Sequence, residues 1–297
     1  MTVRSLLFIP GDSEKKLAKA ESFAADALIL DLEDSVAPAA KPDARERVAA
    51  YLKDRPVGRR TAKLWVRINP LESPQALADL AAVAVAAPDG IMLPKAAGPA
   101  DVARLGHFLD ALEQVGDIPP GSIRILPIVT EVPTAPFRLG DYAEAGLPRL
   151  WGLTWGAEDL AAAIGASTNL DPAGGWAFTY QMVRSLTLLA AHAAGVQAIE
   201  TLYVDFRDSE GLAASCAAAR REGFTGRIAI HPAQVAVINA GFTPSAVETA
   251  EARRVIDAFA AAGGAGTVGL DGRMLDIPHL KQAQRTLAAA EAHAHPL

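Results

Sequence analysis

The chain has 297 residues, 51% hydrophobic and 21% charged, enough apolar material to bury one large core with no disordered tail. Its formal charge of -6 argues against general nucleic-acid binding, because contacts to a phosphate backbone demand a basic face. One cysteine, Cys216, excludes an internal disulfide and a cysteine-built metal site, and no apolar run approaches the length of a membrane span. The opening segment meets charge too early for a secretory signal, so a cytoplasmic location is expected.

Eight short runs rich in Ile, Leu and Val punctuate the chain, separated by longer stretches of helical periodicity, the pattern of repeated βα units. In chain order they are Ser5–Ile9, Ala27–Leu32, Lys63–Ile68, Gly90–Pro94, Arg124–Val129, Arg149–Trp155, Ala198–Phe206 and Arg227–Ile230. The first ends in Pro10-Gly11-Asp12, without the glycine-rich turn that opens a doubly wound nucleotide-binding sheet. The second runs into Asp31, Glu33 and Asp34. Burying unpaired charge there is costly, and metal or anion chemistry would give the cluster a reason. Pro42 opens a helix that buries Val48 and Leu52, and Ser73 opens another with Pro74 at its first position. Asp101 starts a third, with Val102, Leu105, Phe108, Leu109 and Leu112 as its packing stripe.

Polar groups follow nearly every run: Arg67 and Asn69, Lys95, Thr130 and Glu131, Glu158 and Asp159, Asp205, and His231. Eight parallel strands with alternating helices predict an α/β fold, a (β/α)8 TIM barrel, whose active site lies at the C-terminal strand ends. The barrel is expected over residues 1–240 and a C-terminal helical extension, acting as a lid, over 241–297. Within the extension the reading is a helix over Pro244–Ala262, a flexible link over Gly263–Gly269 and a last helix over Ile277–His293. Gly264–Gly269 spells G-x-G-x-x-G, but a helix end precedes it where the dinucleotide fingerprint needs a strand. His231 could orient a ligand or serve the structure, and Trp155 and Trp176 could line a pocket or pack.

RSLLFIPG (Arg4–Gly11), DLEDSV followed by Lys41 and Arg45, VRIN (Val66–Asn69), MLPK (Met92–Lys95), GAEDL (Gly156–Leu160), IHPAQ and GRMLDIP (Gly272–Pro278) together resemble the citrate lyase beta subunit family of HpcH/HpaI-type aldolases. That family includes malyl-CoA and citramalyl-CoA lyases, and the match runs from Arg4 to about Leu287. The resemblance implies a trimeric or hexameric barrel enzyme that uses Mg2+, or Mn2+ in its place, to make or break a carbon–carbon bond beta to a thioester. By that resemblance Glu131 and Asp159 ligate the metal, Arg67 grips the substrate's carboxylate or carbonyl oxygen, and Asp276 is the acid/base. In the family this last residue sits on a C-terminal segment that closes over a neighbouring subunit's site. Val132-Pro133-Thr134 stands where relatives usually carry Thr-Ala and a glycine, and Arg227 replaces a frequent lysine.

Two carboxylates are the ligand types and number that Mg2+ takes while leaving room for substrate oxygens and water. Glu33 and Asp34 are expected on the same rim, ordering metal-bound water, with a structural ion pair to Lys95 or Arg67 as the plainer alternative. Lys15, Lys19, Lys41 and Arg45 are candidates for the CoA phosphates, and each reads equally well as a solvated helix-face charge. The expected reaction is cleavage of a malyl-, citramalyl- or citryl-type acyl-CoA to acetyl-CoA or propionyl-CoA and a 2-keto acid. The alternatives are a citrate-lyase-type subunit acting on an acyl-carrier-protein thioester, a CoA-independent metal aldolase, and a non-catalytic barrel whose carboxylates hold an ion.

Overall fold

The computed structural model describes residues 3–294. Eight strands form one parallel sheet: β1 (Ser5–Pro10), β2 (Ala27–Asp31), β3 (Lys63–Arg67), β4 (Gly90–Leu93), β5 (Arg124–Pro127), β6 (Gly152–Thr154), β7 (Gln197–Glu200) and β8 (Gly226–Ala229). Their order is β5-β4-β3-β2-β1-β8-β7-β6. Parallel bridges from Ile125 to Leu150 and from Ile128 to Thr154 bring β6 against β5, so the sheet curls round on itself into the expected barrel.

Alternation along the strands sorts side chains into two layers. Leu6, Ala27, Ile29, Trp65, Met92, Leu126, Ile128, Ile199 and Ile228 fill the barrel interior. Leu7, Ile9, Leu28, Leu30, Leu64, Val66, Ile91 and Leu153 point outward into a larger core against the helices. Those helices are α1 (Glu14–Leu17), α2 (Lys41–Lys53), α3 (Ala76–Val83), α4 (Pro99–Val115), α5 (Ala157–Ile164), α6 (Phe178–Ala193), α7 (Ser209–Glu222) and α8 (Ala233–Phe242).

The structure moves several expected boundaries, each for a local reason. The helix expected from Ser73 begins at Ala76, because the Ser73 hydroxyl accepts the Gln75 N–H at 3.2 Å inside a preceding turn. The α4 helix starts at Pro99, and the Asp101 carboxylate folds back onto the Ala97 N–H at 2.7 Å. Between β5 and β6 the chain makes a 3-10 turn over Ala135–Ala143 in place of an α-helix, in a stretch that carries Pro133, Pro136 and Gly140. The seventh run stops at Glu200, whose carboxylate takes the Thr201 N–H at 2.9 Å and ends the pairing.

The C-terminal segment differs most. Ser245 caps α9 (Ala246–Ala261) in a reciprocal capping box with Glu248, as the expected helix requires. The glycine-rich stretch then enters a hairpin of β9 (Thr267–Leu270) and β10 (Arg273–Asp276), before α10 (Ile277–Ala294). Asp271 and Gly272 turn it, with φ of 49° and 74°, the paired positive values of a two-residue Asp-Gly turn. Ala252, Val255, Phe259, Val268, Leu275 and Ala283 give this segment a small core of its own.

Gly90 marks the tightest packing in the barrel interior. A Cβ there would lie 2.3 Å from Cζ3 of Trp65, whose ring also packs on Trp151 at 4.9 Å between centroids. Gly90→Ala should therefore destabilise the fold by about 1–3 kcal/mol. The same substitution in a Trp65→Phe background, where that ring edge is gone, should cost less; chemical denaturation of the four proteins checks the coupling.

Candidate functional site

The acidic mouth of the barrel is built from the ends of five consecutive strands, β2 to β6, and the segments that follow them. Asp31 closes β2, and its carboxylate takes the Glu33 N–H at 3.0 Å and the Ser35 N–H at 3.2 Å, folding the DLEDS turn into a compact loop. Arg67 closes β3 and forks onto Asp31, with Nε to Oδ1 and Nη2 to Oδ2 both at 2.7 Å. Its Nη1 lies 2.9 Å from Oε2 of Glu33, and its guanidinium sits 4.5 Å above the Phe8 ring. Asp31 is 1% exposed and Glu33 3%. Burial pushes against the charge of Asp31, yet the Arg67 fork holds its carboxyl below the ordinary carboxylate range. Glu33 goes the other way, raised by burial despite Arg67 and Lys95.

Glu131 follows β5, and the expected uncertainty around its Val-Pro-Thr neighbours resolves simply. A turn from Val132 to Ala135 carries the chain away, while the carboxylate folds inward, 4% exposed, and accepts the Lys95 N–H at 2.6 Å. Thr130 locks this strand end to the start of α5: its hydroxyl donates to the Gly156 carbonyl at 3.1 Å and accepts the Gly156 N–H at 3.0 Å. A Cβ on Gly156 would stand 2.9 Å from Cγ of Glu131, so only glycine lets the carboxylate lie there. Asp159 stands in the first turn of the same helix, its Oδ1 3.3 Å from Nζ of Lys95.

Lys95 thus reaches nearly every group in the mouth. Its Nζ pairs with Glu33 and Asp159 and lies 3.6 Å from Oδ2 of Asp34. Asp34 itself is exposed, 61% at its side chain. Burial pushes the Glu131 carboxyl up to about 8, and the neighbouring Asp159 charge adds to the push. Arg67, Glu33, Asp34, Glu131 and Asp159 therefore converge at one end of the barrel. Asp31 and Lys95, which the sequence places on the rim without a catalytic or binding role, are the groups that tie them together.

Five expected residues lie elsewhere or are engaged. Lys41 Nζ donates to the Leu32 and Glu33 carbonyls and to Asn69 Oδ1, spending all three N–H groups beneath the loops. Arg45 bonds buried Asp79 and Gln75. Lys15 and Lys19 are exposed, and among the described residues neither has an ion-pair partner. Asp276 ends β10, half exposed, and pairs with His279 at 2.5 Å; none of the mouth residues is among its polar partners. Trp155 and Trp176 pack edge to face in the layer between sheet and helices, Trp155 donating to Glu200 at 2.6 Å. Arg227 points into the same layer, bonded to Ser215 at 2.8 Å, and His231 stacks on Phe206 at the rim.

This barrel mouth is matched by a known family. The profile of the HpcH/HpaI aldolase/citrate lyase family covers residues 4–232. The chain belongs to that family. A (3S)-malyl-CoA thioesterase of Cereibacter sphaeroides is 39% identical over 293 residues, 98% of this chain and 95% of the relative. The mitochondrial citramalyl-CoA lyase of Rattus norvegicus is 34% identical, over 97% of this chain and 86% of the relative. Among solved structures, the protein CitE of Mycobacterium tuberculosis with magnesium, acetoacetate and coenzyme A superposes with a TM-score of 0.79 at 34% identity, covering 98% of both chains. The family profile ends at Pro232, before α8 and the C-terminal segment, whereas these relatives match almost to the chain's end.

The raised Glu131 carboxyl has a sign that can be checked. The metal-free fold keeps its proton up to about pH 8, while an unfolded chain releases it near 4.5. The fold binds more protons than the unfolded chain between those values, so its stability falls as pH rises through that window. Glu131→Gln should flatten this fall; thermal melts of both proteins in chelator across the range measure it.

Proposed function

We propose that this chain is a divalent-metal-dependent acyl-CoA lyase. It cleaves, and in reverse forms, the carbon–carbon bond beta to the thioester of a malyl-, citramalyl- or citryl-type CoA ester, giving acetyl-CoA or propionyl-CoA and a 2-keto acid. The observation that carries the reading is a buried carboxylate, Glu131, facing a second one, Asp159, beside the Arg67 guanidinium. Two hard oxygen donors, one of them lifted to about 8 by burial and then by the charge of the other, are a pair that a divalent cation would relieve. Glu131 and Asp159 would hold Mg2+, or Mn2+ in its place, and the bound ion supplies a Lewis acid for the substrate's oxygens.

The chain's own residues do the rest. Of the five N–H donors of Arg67, two are spent on Asp31, and Nη1 stands beside Glu33 without a hydrogen bond to it, so the guanidinium keeps donors for an oxyanion of the keto acid. The Arg67–Asp31 fork fixes that guanidinium before substrate arrives, so little ordering is left for the encounter. Glu33 and Asp34 order water at the mouth, and exposed Lys15 and Lys19 are the cations available to CoA phosphates. Asp276 takes or gives the proton at the acyl carbon. Because its polar partner is His279 in the first turn of α10 and none of the mouth residues, we infer that it serves the mouth of a neighbouring copy in a trimer or hexamer. The compartment we infer is the cytoplasm, in keeping with a single buried, unpaired cysteine.

Purified protein with Mg2+ should release acetyl-CoA or propionyl-CoA from at least one of malyl-, citramalyl- and citryl-CoA; no turnover on any of them refutes the substrate class. Asp276→Asn should lower kcat by roughly 10²- to 10⁴-fold with KM little changed. Mixed with Glu131→Gln after reversible dissociation, it should regain activity that neither variant has alone, unless each copy uses its own Asp276.

A second reading has a specific support: the 39% identical relative is named for hydrolysing the malyl-CoA thioester. Product analysis separates the two, since hydrolysis yields free CoA with the hydroxy acid intact and cleavage yields a shorter acyl-CoA.

A further inference from the structure

Lys95 touches more of the mouth's carboxylates than any other residue described there. It follows β4 with φ of 54°, in the left-handed region where a long side chain is uncommon. That backbone conformation has a visible product. It aims the Lys95 N–H at Oε2 of Glu131, 2.6 Å away, while the side chain of the same residue reaches Oδ1 of Asp159 at 3.3 Å. One residue therefore holds both members of the carboxylate pair, one through its backbone and one through its ammonium. The ammonium also pairs with Glu33 and approaches Asp34. Among the described residues it is the one cation paired with Asp159.

The charges explain why such a clamp is needed. Arg67 is committed chiefly to Asp31, through a two-pronged fork, and touches Glu33 with its remaining nitrogen. Among the described residues nothing else positive pairs with Asp159, so without Lys95 no partner would hold that carboxylate beside the buried Glu131.

We propose that Lys95 is a positioning residue for the metal: a resident cation that keeps Glu131 and Asp159 in register in the metal-free enzyme and yields Asp159 to the incoming divalent ion while it stays on Glu33. This rests on the reading of Glu131 and Asp159 as the ligands. The clamp opposes the ion it prepares for, since a like charge 3.3 Å from a ligand oxygen weakens metal binding. Affinity is thereby exchanged for a prearranged, exchangeable site.

Calorimetric titration of the full-length protein with MgCl2, without CoA, tests this. Lys95→Met removes the charge at similar length and should bind Mg2+ several-fold to about ten-fold more tightly, because the competing cation is gone. Lys95→Arg keeps the charge and should stay near the wild type. Turnover on the CoA ester should fall in Lys95→Met despite the tighter metal, since Glu33 and Asp159 lose their common anchor. Should Lys95→Met not fold, Lys95→Gly carries the same test, because it retains the N–H to Glu131 and suits the positive φ.

Unchanged or weaker Mg2+ binding in the charge-removed variant overturns the proposal and leaves Lys95 a structural ion pair. Glu131→Gln and Asp159→Asn, titrated in parallel, separate the two readings. If they bind Mg2+ as the wild type does, the ligand assignment has failed, whatever Lys95 does.

Discussion

Carboxylates gathered at the C-terminal strand ends of an apolar barrel repel one another and resist burial, and this mouth exists because two cations are threaded among them. Arg67 neutralises Asp31 through a planar fork and leans on Glu33, while Lys95 bridges Glu33 to Asp159 and presents its backbone N–H to Glu131. The balance is incomplete. Glu131 receives one N–H and no counter-charge of its own within bonding distance, which is why burial and Asp159 lift its carboxyl to about 8. A site left short of positive charge at one point is prepared for a cation at that point.

The fold supplies the precision that such a balance requires. The interior core from Leu6 to Ile228 makes a dry floor under the mouth, so the charges above it interact through little water. Each strand end is then tied to its neighbour by a polar strut. Thr130 joins β5 to α5 through Gly156, and Lys41 gathers the loops after β2 and β3 by bonding Leu32, Glu33 and Asn69. Buried Asp79 holds Asn69 through both its backbone and side-chain nitrogens and is itself held by Arg45. Lys41 and Arg45 therefore act from beneath the rim, and a basic residue near an expected anion site proves to be a brace for the loop that carries the acid.

The eight strands were legible because apolar runs of β-branched and aliphatic residues leave a strong local signal, and a polar residue after each run marks the same end of every strand. Boundaries were less so: β7 stops at Glu200, well short of its apolar run, and β6 is confined to Gly152–Thr154 although Leu150 before it already bridges to Ile125. The hairpin at Thr267–Asp276 was missed although Asp271-Gly272 is a strong two-residue turn signal, because the glycines before it drew the reading towards a loose link. Within the site, strand position put Arg67, Glu33, Glu131 and Asp159 on a rim with other polar groups, and the family resemblance picked out Arg67, Glu131 and Asp159 among them. What no linear pattern conveys is which cation each acid meets: Lys41 and Lys95 read alike as chain letters, and only the left-handed backbone at Lys95 turns one of them into the mouth.

The engagement of every group around the rim bears on where proton transfer to carbon would come from. Asp31 is locked in its fork, Glu33 is shared between Arg67 and Lys95, and the proposed metal would occupy Glu131 and Asp159. A general acid or base must change its protonation state at the moment of reaction, and a carboxylate held by two cations does so poorly. Asp276 is differently placed: half exposed at the end of a short hairpin and paired with a histidine, in a segment with its own small core. Under the proposed reading the barrel contributes fixed charge and the C-terminal segment contributes the mobile proton. Separating the two lets the mouth stay rigid while the piece that approaches the acyl carbon comes and goes with substrate.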